Sequence, residues 1–504
     1  MFLERNRCFL IESKLNDKAQ IKNKAISGFL WSLTENGGSY VLHFLIGLVL
    51  VRLIPPVDYG IIGMMTIFFV MGNVLSDSGL SAAIIQKREP TDNDYSTVLI
   101  INITISLIFY FLIFISAPLI ADFYNEPIIT NTIRIFGLNS FIAGFGIIQQ
   151  AIISRTLNYR RWAKINLTSL VLAGIVSIVM ASFGWGLWAL VFIQLIQNLA
   201  NTIQLWLIGG WQYGYKFSFE SFKSLYKFSN PLLVINAINA IYTEIYFMLI
   251  GRIFRAEKLA YYMRAKQTAE VFPLQFTYTL NKIMLPVFSN FQDDSESLKA
   301  ALRKVLLMVG FLNFGILAFL SSNGEAMFVL LFTDRWLTAV PLFTILCLEG
   351  MFLPAFTTIG NILIARGKSK VYMKIELAKR LFQTLVIILT LGSLELIVLG
   401  QLFVAVIFMF VGFVIANREV NYSVSAQIKL LVPYTILAGI IFAVNTLSNY
   451  IFADLHNALN ILINLILSLT IFISAGHFLK LDAFTIISDI VRDKLKSRRS
   501  TNTN

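Results

Sequence analysis

"SYVLHFLIGLVLVRLIPPVDYGIIGMMTIFFVMGNVLSDS", residues Ser39–Ser78, holds two apolar runs on either side of "IPPVDYG", with Arg52 and Asp58 the only charges before Asp77. Extended by their neighbours, the runs cover 26–53 and 58–84. Each reaches the roughly 20 apolar residues that a helix needs to cross the hydrocarbon of a bilayer. Pro55 and Pro56 stop the first helix, because proline has no N–H to donate and clashes with the preceding turn. Two apolar helices joined by so short a turn predict a membrane hairpin.

Outward from this hairpin the pattern repeats, with further spans at 95–120, 133–154, 163–183, 186–209, 229–250, 259–285, 301–322, 338–365, 371–393, 396–416, 430–449 and 456–479. The composition agrees: 57% of the 504 residues are hydrophobic and only 14% charged, with a mean hydropathy of +0.73. A soluble chain carries about a quarter charged residues. The fold class predicted is an all-α membrane protein of about 14 transmembrane helices, with no connection long enough for a soluble domain. Cys8 and Cys347 are too far apart in sequence to suggest a disulfide framework or a metal motif. The N-terminal stretch has no long apolar core and does not read as a signal peptide.

The basic residues give the map an orientation. With both tails cytoplasmic, 33 of the 41 Lys and Arg fall on the cytoplasmic side, 6 outside, and Arg264 and Lys266 within the membrane. Positively charged loops stay inside, so the net charge of +13 reflects topology and not nucleic-acid binding. Arg252, Arg255 and Lys258 cluster on the outer side against this trend. The tail 480–504 has Phe484, Ile487 and Val491 at helical spacing before Lys494, Lys496, Arg498 and Arg499. It reads either as a helix on the anionic leaflet or as a solubilising tail.

A short internal match fits an arrangement of two six-helix lobes, though it is too short to prove duplication. "FLIGLVLVRLIPPVDYGII" and "FMLIGRIFRAEKLAYYMRA" align Gly47 with Gly251 and Tyr59 with Tyr261. Six spans return the chain to the same side, so two six-helix lobes are expected, 26–209 and 229–416. A tail at 1–25, a cytoplasmic linker at 210–228 and two added helices in 430–479 complete the organisation.

Charge at membrane depth is costly, so intramembrane ionisable groups face a cavity or a partner. Glu35, Asp77, Glu244, Arg264, Lys266, Glu270 and Glu349 form that set. Lys266 and Glu270, four apart, share a helix face and form an expected structural pair. Arg264 has Ala260 and Thr268 at its own i±4 positions. For the others an interhelical hydrogen bond is the plainer alternative. Glu376, Lys379 and Arg380 lie near a cytoplasmic end and are expected to snorkel. His43 is expected to be packed in the core. Pro273 and Pro354 interrupt their spans, and hinging is one reading of them. No motif for ATP hydrolysis, zinc, nucleophilic catalysis or redox chemistry is present, so neither an enzyme nor a cofactor is expected.

Ser27 to Gln86, "LAYYMRAKQ", "LPVFSNFQDD", "DRWLTAVPLFTILCLEGMF" and "GNILIARGKSK" resemble landmarks of Wzx-type polysaccharide flippases of the multidrug/oligosaccharidyl-lipid/polysaccharide (MOP) superfamily. In the first landmark Met263 stands where the family usually has Asn. The resemblance implies MATE-like lobes and a bacterial inner-membrane transporter. It would flip undecaprenyl-diphosphate-linked oligosaccharides for lipopolysaccharide, exopolysaccharide or capsule assembly. It also implies that Arg264 and Lys266 contact the diphosphate, with Arg252, Arg255 and Lys258 as a second, outer cationic site. Gln149, Gln150, Gln194 and Asn198 would meet the sugars. Glu35, Asp77 and Glu349 are the candidates for coupling to H⁺ or Na⁺. Membrane lipids and polysaccharide synthesis enzymes are the partners implied. A drug/cation antiporter of the same superfamily would want an acidic cavity, against which Arg264 and Lys266 argue. A polymerase or ligase would want a large outer loop, and the longest here, near 121–132 and 323–337, are short.

Overall fold

A computed structural model describes Trp31, Glu35 and residues 37–208, 216–478 and 481–485. The tail at 1–25, part of the 210–228 linker and most of the basic C-terminal segment lie outside the described residues. The described chain runs through α1 (Gly37–Leu53), α2 (Pro56–Asp77), α3 (Leu80–Gln86), α4 (Asp92–Tyr124), α5 (Ile128–Phe136), α6 (Leu138–Arg155), α7 (Tyr159–Ser182) and α8 (Gly186–Ile208). It continues through α9 (Phe219–Asn290), α10 (Ser295–Met308), a π-helical turn (Val309–Phe314), α11 (Gly315–Ser322), α12 (Gly324–Phe332) and a 3₁₀ turn (Asp334–Ala339). α13 (Val340–Ala365), α14 (Ser369–Leu389), α15 (Leu394–Val420), α16 (Val424–Ile451) and α17 (Asn457–Phe478) complete it. Two compact units, Met1–Ala260 and Tyr261–Asn504, divide the chain.

Eleven helices among the described residues, not fourteen, are long and apolar enough to cross a membrane. The difference has three sources. α1 is described over Gly37–Leu53 only. α14 carries Lys370, Lys374, Glu376, Lys379 and Arg380. The spans expected at 229–250 and 259–285 lie in the single 72-residue helix α9, whose backbone departs from helical geometry at Arg255 (φ 69°, ψ 173°). Unbroken, 72 residues would run about 108 Å, several times the hydrocarbon thickness. Arg255 therefore replaces the loop expected there.

Local chemistry sets many of the other boundaries. Thr91 and Asp94 form a capping box at the start of α4, satisfying backbone N–H groups that have no helical partner, and Lys87 pairs with Asp94 at 2.7 Å. Asp294, Ser393 and Ser423 cap α10, α15 and α16. The Asp294 carboxyl lies below its ordinary range because the Ser297 hydroxyl and backbone N–H donate to it. Arg155 gathers the carbonyls of Ile84, Ile85, Lys87 and Arg88 at the end of α3.

Two prolines inside helices are compensated in the same way. Proline deprives the carbonyl four residues earlier of its donor. For Pro118 that carbonyl belongs to Phe114, and Arg134 Nε donates to it at 3.3 Å while its guanidinium lies 4.5 Å from the Phe114 ring. For Pro354 it belongs to Gly350, and Asn313 Nδ2 donates to Gly350 O at 3.0 Å and Met351 O at 3.1 Å. Asn313 sits in the π-helical turn and is fully buried. Asn313→Ala should lower stability by about 1–3 kcal/mol, the cost of a buried carbonyl left without its donor. Thermal unfolding in detergent reads this; an unchanged midpoint would mean that the carbonyl is otherwise satisfied.

His43 is not packed in the core: it lies on an exposed face of α1. Of the matched glycines, Gly251 packs against Met64, Leu259 and Tyr124, whereas no atom lies within 4 Å of where a Gly47 Cβ would be. The sequence match therefore does not extend to equivalent packing.

Candidate functional site

In the second unit, α9, α13, α14 and α15 enclose a cavity of about 230 Å³. Each helix supplies residues three or four apart, the spacing of one helical face: Lys266, Glu270 and Pro273 from α9, Leu346, Glu349 and Leu353 from α13, Lys379 and Gln383 from α14, Ala405 and Phe408 from α15. Lys266 Nζ lies 3.8 Å from Glu270 Oε1 and 3.4 Å from the Tyr262 hydroxyl. That hydroxyl is held in turn by Gln401 Nε2 at 2.8 Å. Lys379 Nζ sits 4.5 Å above the Phe356 ring. Glu349 interacts electrostatically with both Lys266 and Lys379. Two acids and two bases thus share the space, and their formal charges cancel.

Lys379 is the residue that the sequence reading misplaced. Its nearness to basic residues at a helix end suggested snorkelling, yet it lines the cavity. The signal was present as a stripe: Tyr372, Glu376, Lys379 and Gln383 fall at i, i+4, i+7 and i+11 on α14, and Tyr372 donates to Glu376 at 3.1 Å.

Arg264 is not among the cavity residues. Its guanidinium lies 5.0 Å from the Phe332 ring and 5.1 Å from the Trp336 ring. Trp336 is fully buried and meets Tyr261 edge-on at 6.1 Å. Thr333, at φ 85° and ψ 166°, turns the chain between the two rings that Arg264 contacts. In the first unit, Arg252 lies 5.3 Å from the Phe123 ring and Lys258 5.6 Å from that of Phe254, on either side of the Arg255 break. Glu35 accepts from Asn166 Nδ2 at 2.5 Å and Ser39 Oγ at 3.4 Å. Asp77 closes α2 before the left-handed Ser78 and Gly79, and its carboxylate faces the N–H groups of Gly79 and Ser81. Asn198 donates to Asn139 at 3.0 Å. No group of His, Cys, Asp and Glu among the described residues is arranged to hold a metal.

Residues 49–341 match the sequence profile of the family described as "Polysaccharide biosynthesis protein", which is more than half of the chain. The chain belongs to this family. Within it, the lipopolysaccharide biosynthesis protein WzxC of Escherichia coli (strain K12) is 25% identical over 362 residues, covering 71% of this chain and 73% of WzxC. Among solved structures, the lipid II flippase MurJ in an inward closed conformation superposes with a TM-score of 0.69 at 14% identity, covering 89% of this chain and 99% of MurJ. A multidrug resistance MATE family transporter of the MOP superfamily, inward-facing, gives 0.57 at 15% identity over 77% of this chain and 96% of that one. The described residues are therefore helical and share the multi-helix membrane fold of these two solved transporters, as the resemblance implied.

Proposed function

We propose that the protein flips oligosaccharide units carried on undecaprenyl diphosphate from the cytoplasmic to the outer leaflet of the bacterial inner membrane, for surface polysaccharide assembly. The observation that carries this reading is a polysaccharide biosynthesis family member built on a fold shared with a lipid flippase. A diphosphate crossing the low-dielectric midplane needs cations on its path, and Arg264, with Lys266 near it in sequence, supplies them at membrane depth. The prenyl chain stays in lipid. Arg264 and Lys266, two cations close together in sequence at membrane depth, argue against a site for cationic drugs. Lipids extracted with the purified protein from its native membrane should contain a prenyl-diphosphate glycan by mass spectrometry. Extracts holding only phospholipid, with no restoration of surface glycan in a flippase-deficient strain, would refute the reading.

On this proposal 26–209 and 229–416 act as lobes, 430–479 adds two helices, and both tails are cytoplasmic, where polysaccharide synthesis enzymes would meet them. Cysteine introduced at Asn125 should label from outside whole cells and cysteine at Ser369 should not; the reverse pattern would invert the map.

Glu349 is the group proposed to couple transport to H⁺ or Na⁺. Glu35 accepts from Asn166 and Ser39 and Asp77 stands at the end of a helix, whereas Glu349 shares a cavity with Lys266, Lys379 and Glu270. A cation bound there leaves the cavity net positive and changes its attraction for an anion. Glu349→Gln should remove the dependence of flipping on the ion gradient at normal protein level, with smaller effects from Glu35→Gln and Asp77→Asn. Unchanged gradient dependence in Glu349→Gln would exclude it.

A further inference from the structure

A second polar cavity, of about 410 Å³, lies in the first unit between the start of α7 and the end of α8. Arg160, Arg161 and Lys164 line it together with Asn158, Thr168 and Gln204. The α7 residues Arg161, Lys164 and Thr168 follow one helical face, and Gln204 meets that face from α8: Thr168 Oγ1 donates to Gln204 Oε1 at 2.8 Å, and Gln204 Nε2 donates to Ser169 Oγ at 2.8 Å. Amide and hydroxyl groups thus form one wall, and three cations stand nearer the helix end.

Cytoplasmic loops carry Lys and Arg as a rule, but two features separate these three from that background. They line one open cleft together with amide and hydroxyl groups instead of being scattered along a loop. They also occupy the first turns of α7, where Asn158 caps the helix and no acidic residue stands in the first turn. Helix N-termini carry partial positive charge and favour anions, so the cations add to a field that a bound anion would relieve. None of the three lies within ion-pair distance of a carboxylate among the described residues. Arg155, at the end of α6, shows the contrast: its guanidinium is used on the carbonyls at the end of α3.

We infer that this cavity binds the diphosphate headgroup of the prenyl-linked substrate at the membrane surface, before translocation. The inference rests on the function proposed above and adds a capture site separate from Arg264. Guanidinium forks on Arg160 and Arg161 suit phosphate oxygens, Lys164 adds a point charge, and the polar wall suits the hydroxyls of an attached sugar.

The test is binding of farnesyl diphosphate to the full-length protein in phosphatidylcholine nanodiscs, in an Arg264→Ala background that removes the main contact proposed at membrane depth. Arg160→Gln/Arg161→Gln/Lys164→Gln should weaken binding at least about tenfold. Lys216→Gln/Lys223→Gln/Lys227→Gln removes the same charge from neighbouring positions outside the cavity and should change it less than about twofold. Arg161→Gln alone provides the measurement if the triple variant unfolds, with a several-fold loss expected. Equal weakening by both triple variants, or none by the cavity substitutions, would overturn the site. Inorganic pyrophosphate should compete; competition by phosphatidylglycerol and not by pyrophosphate would assign the cavity to phospholipid headgroups and overturn the diphosphate assignment. Because the readout is binding, the site can fail while the protein still restores surface glycan, and a failed restoration with intact binding would count against the functional reading alone.

Discussion

Arg264→Ala should abolish surface polysaccharide in a flippase-deficient strain while the protein still reaches the membrane. The rings of Phe332 and Trp336 engage the guanidinium, a cation whose planar fork matches the geometry of phosphate oxygens. Truncating one member of a buried, hydrogen-bonded charge pair costs roughly 2–5 kcal/mol, about 30-fold to several-thousand-fold in affinity. Arg264→Lys keeps the charge but loses the bidentate edge, so flipping should fall at least about tenfold with insertion unchanged. The check is glycan at the cell surface, with membrane protein level measured in parallel. Full activity of a well-expressed Arg264→Ala variant would move the diphosphate to another cationic group, first to Arg252, Arg255 and Lys258.

Gly60→Ala should be the most damaging small substitution in the first unit. A Cβ at Gly60 would sit 1.7 Å from the Ala256 carbonyl oxygen and 2.3 Å from its carbon. The obstacle is backbone, which cannot swing aside as a side-chain tip can. Overpacking in a well-filled site costs typically about 1–3 kcal/mol, and here α2 or the break in α9 has to move. Ala256 follows Arg255, whose φ of 69° and ψ of 173° lie in a region that is essentially glycine's and costs about 1–3 kcal/mol for other residues. The two substitutions should therefore act in opposite directions: Gly60→Ala lowers the thermal midpoint in detergent, and Arg255→Gly raises it. A Gly60→Ala variant with an unchanged midpoint would mean that the two segments are not in contact.

Much of this protein is legible in the order of its residues. The all-α class, the position of most spans, the bias of basic residues and the family landmarks such as "LAYYMRAKQ" depend on local composition. In lipid every backbone polar group must be satisfied within its own helix, so hydropathy alone identifies the helices. The pairing of Lys266 with Glu270 was also legible, because i,i+4 neighbours meet on any helix. What only the tertiary structure decided is which distant groups face each other. Lys379 looked like one more cation near a helix end until packing of α14 against α13 turned it toward Glu349. Asn313 and Arg134 serve the carbonyls freed by Pro354 and Pro118, a pairing between residues 16 to 41 positions apart that no local pattern encodes. The loop expected near 251–258 reduced to one strained residue, because a break in a helix is set by what packs against it, here Gly60 on Ala256, as much as by the residues at the break. Helix formation is a local matter, settled by each segment with the lipid. The direction a helix turns its polar stripe is settled by its neighbours, and that information is spread over residues tens to hundreds of positions apart.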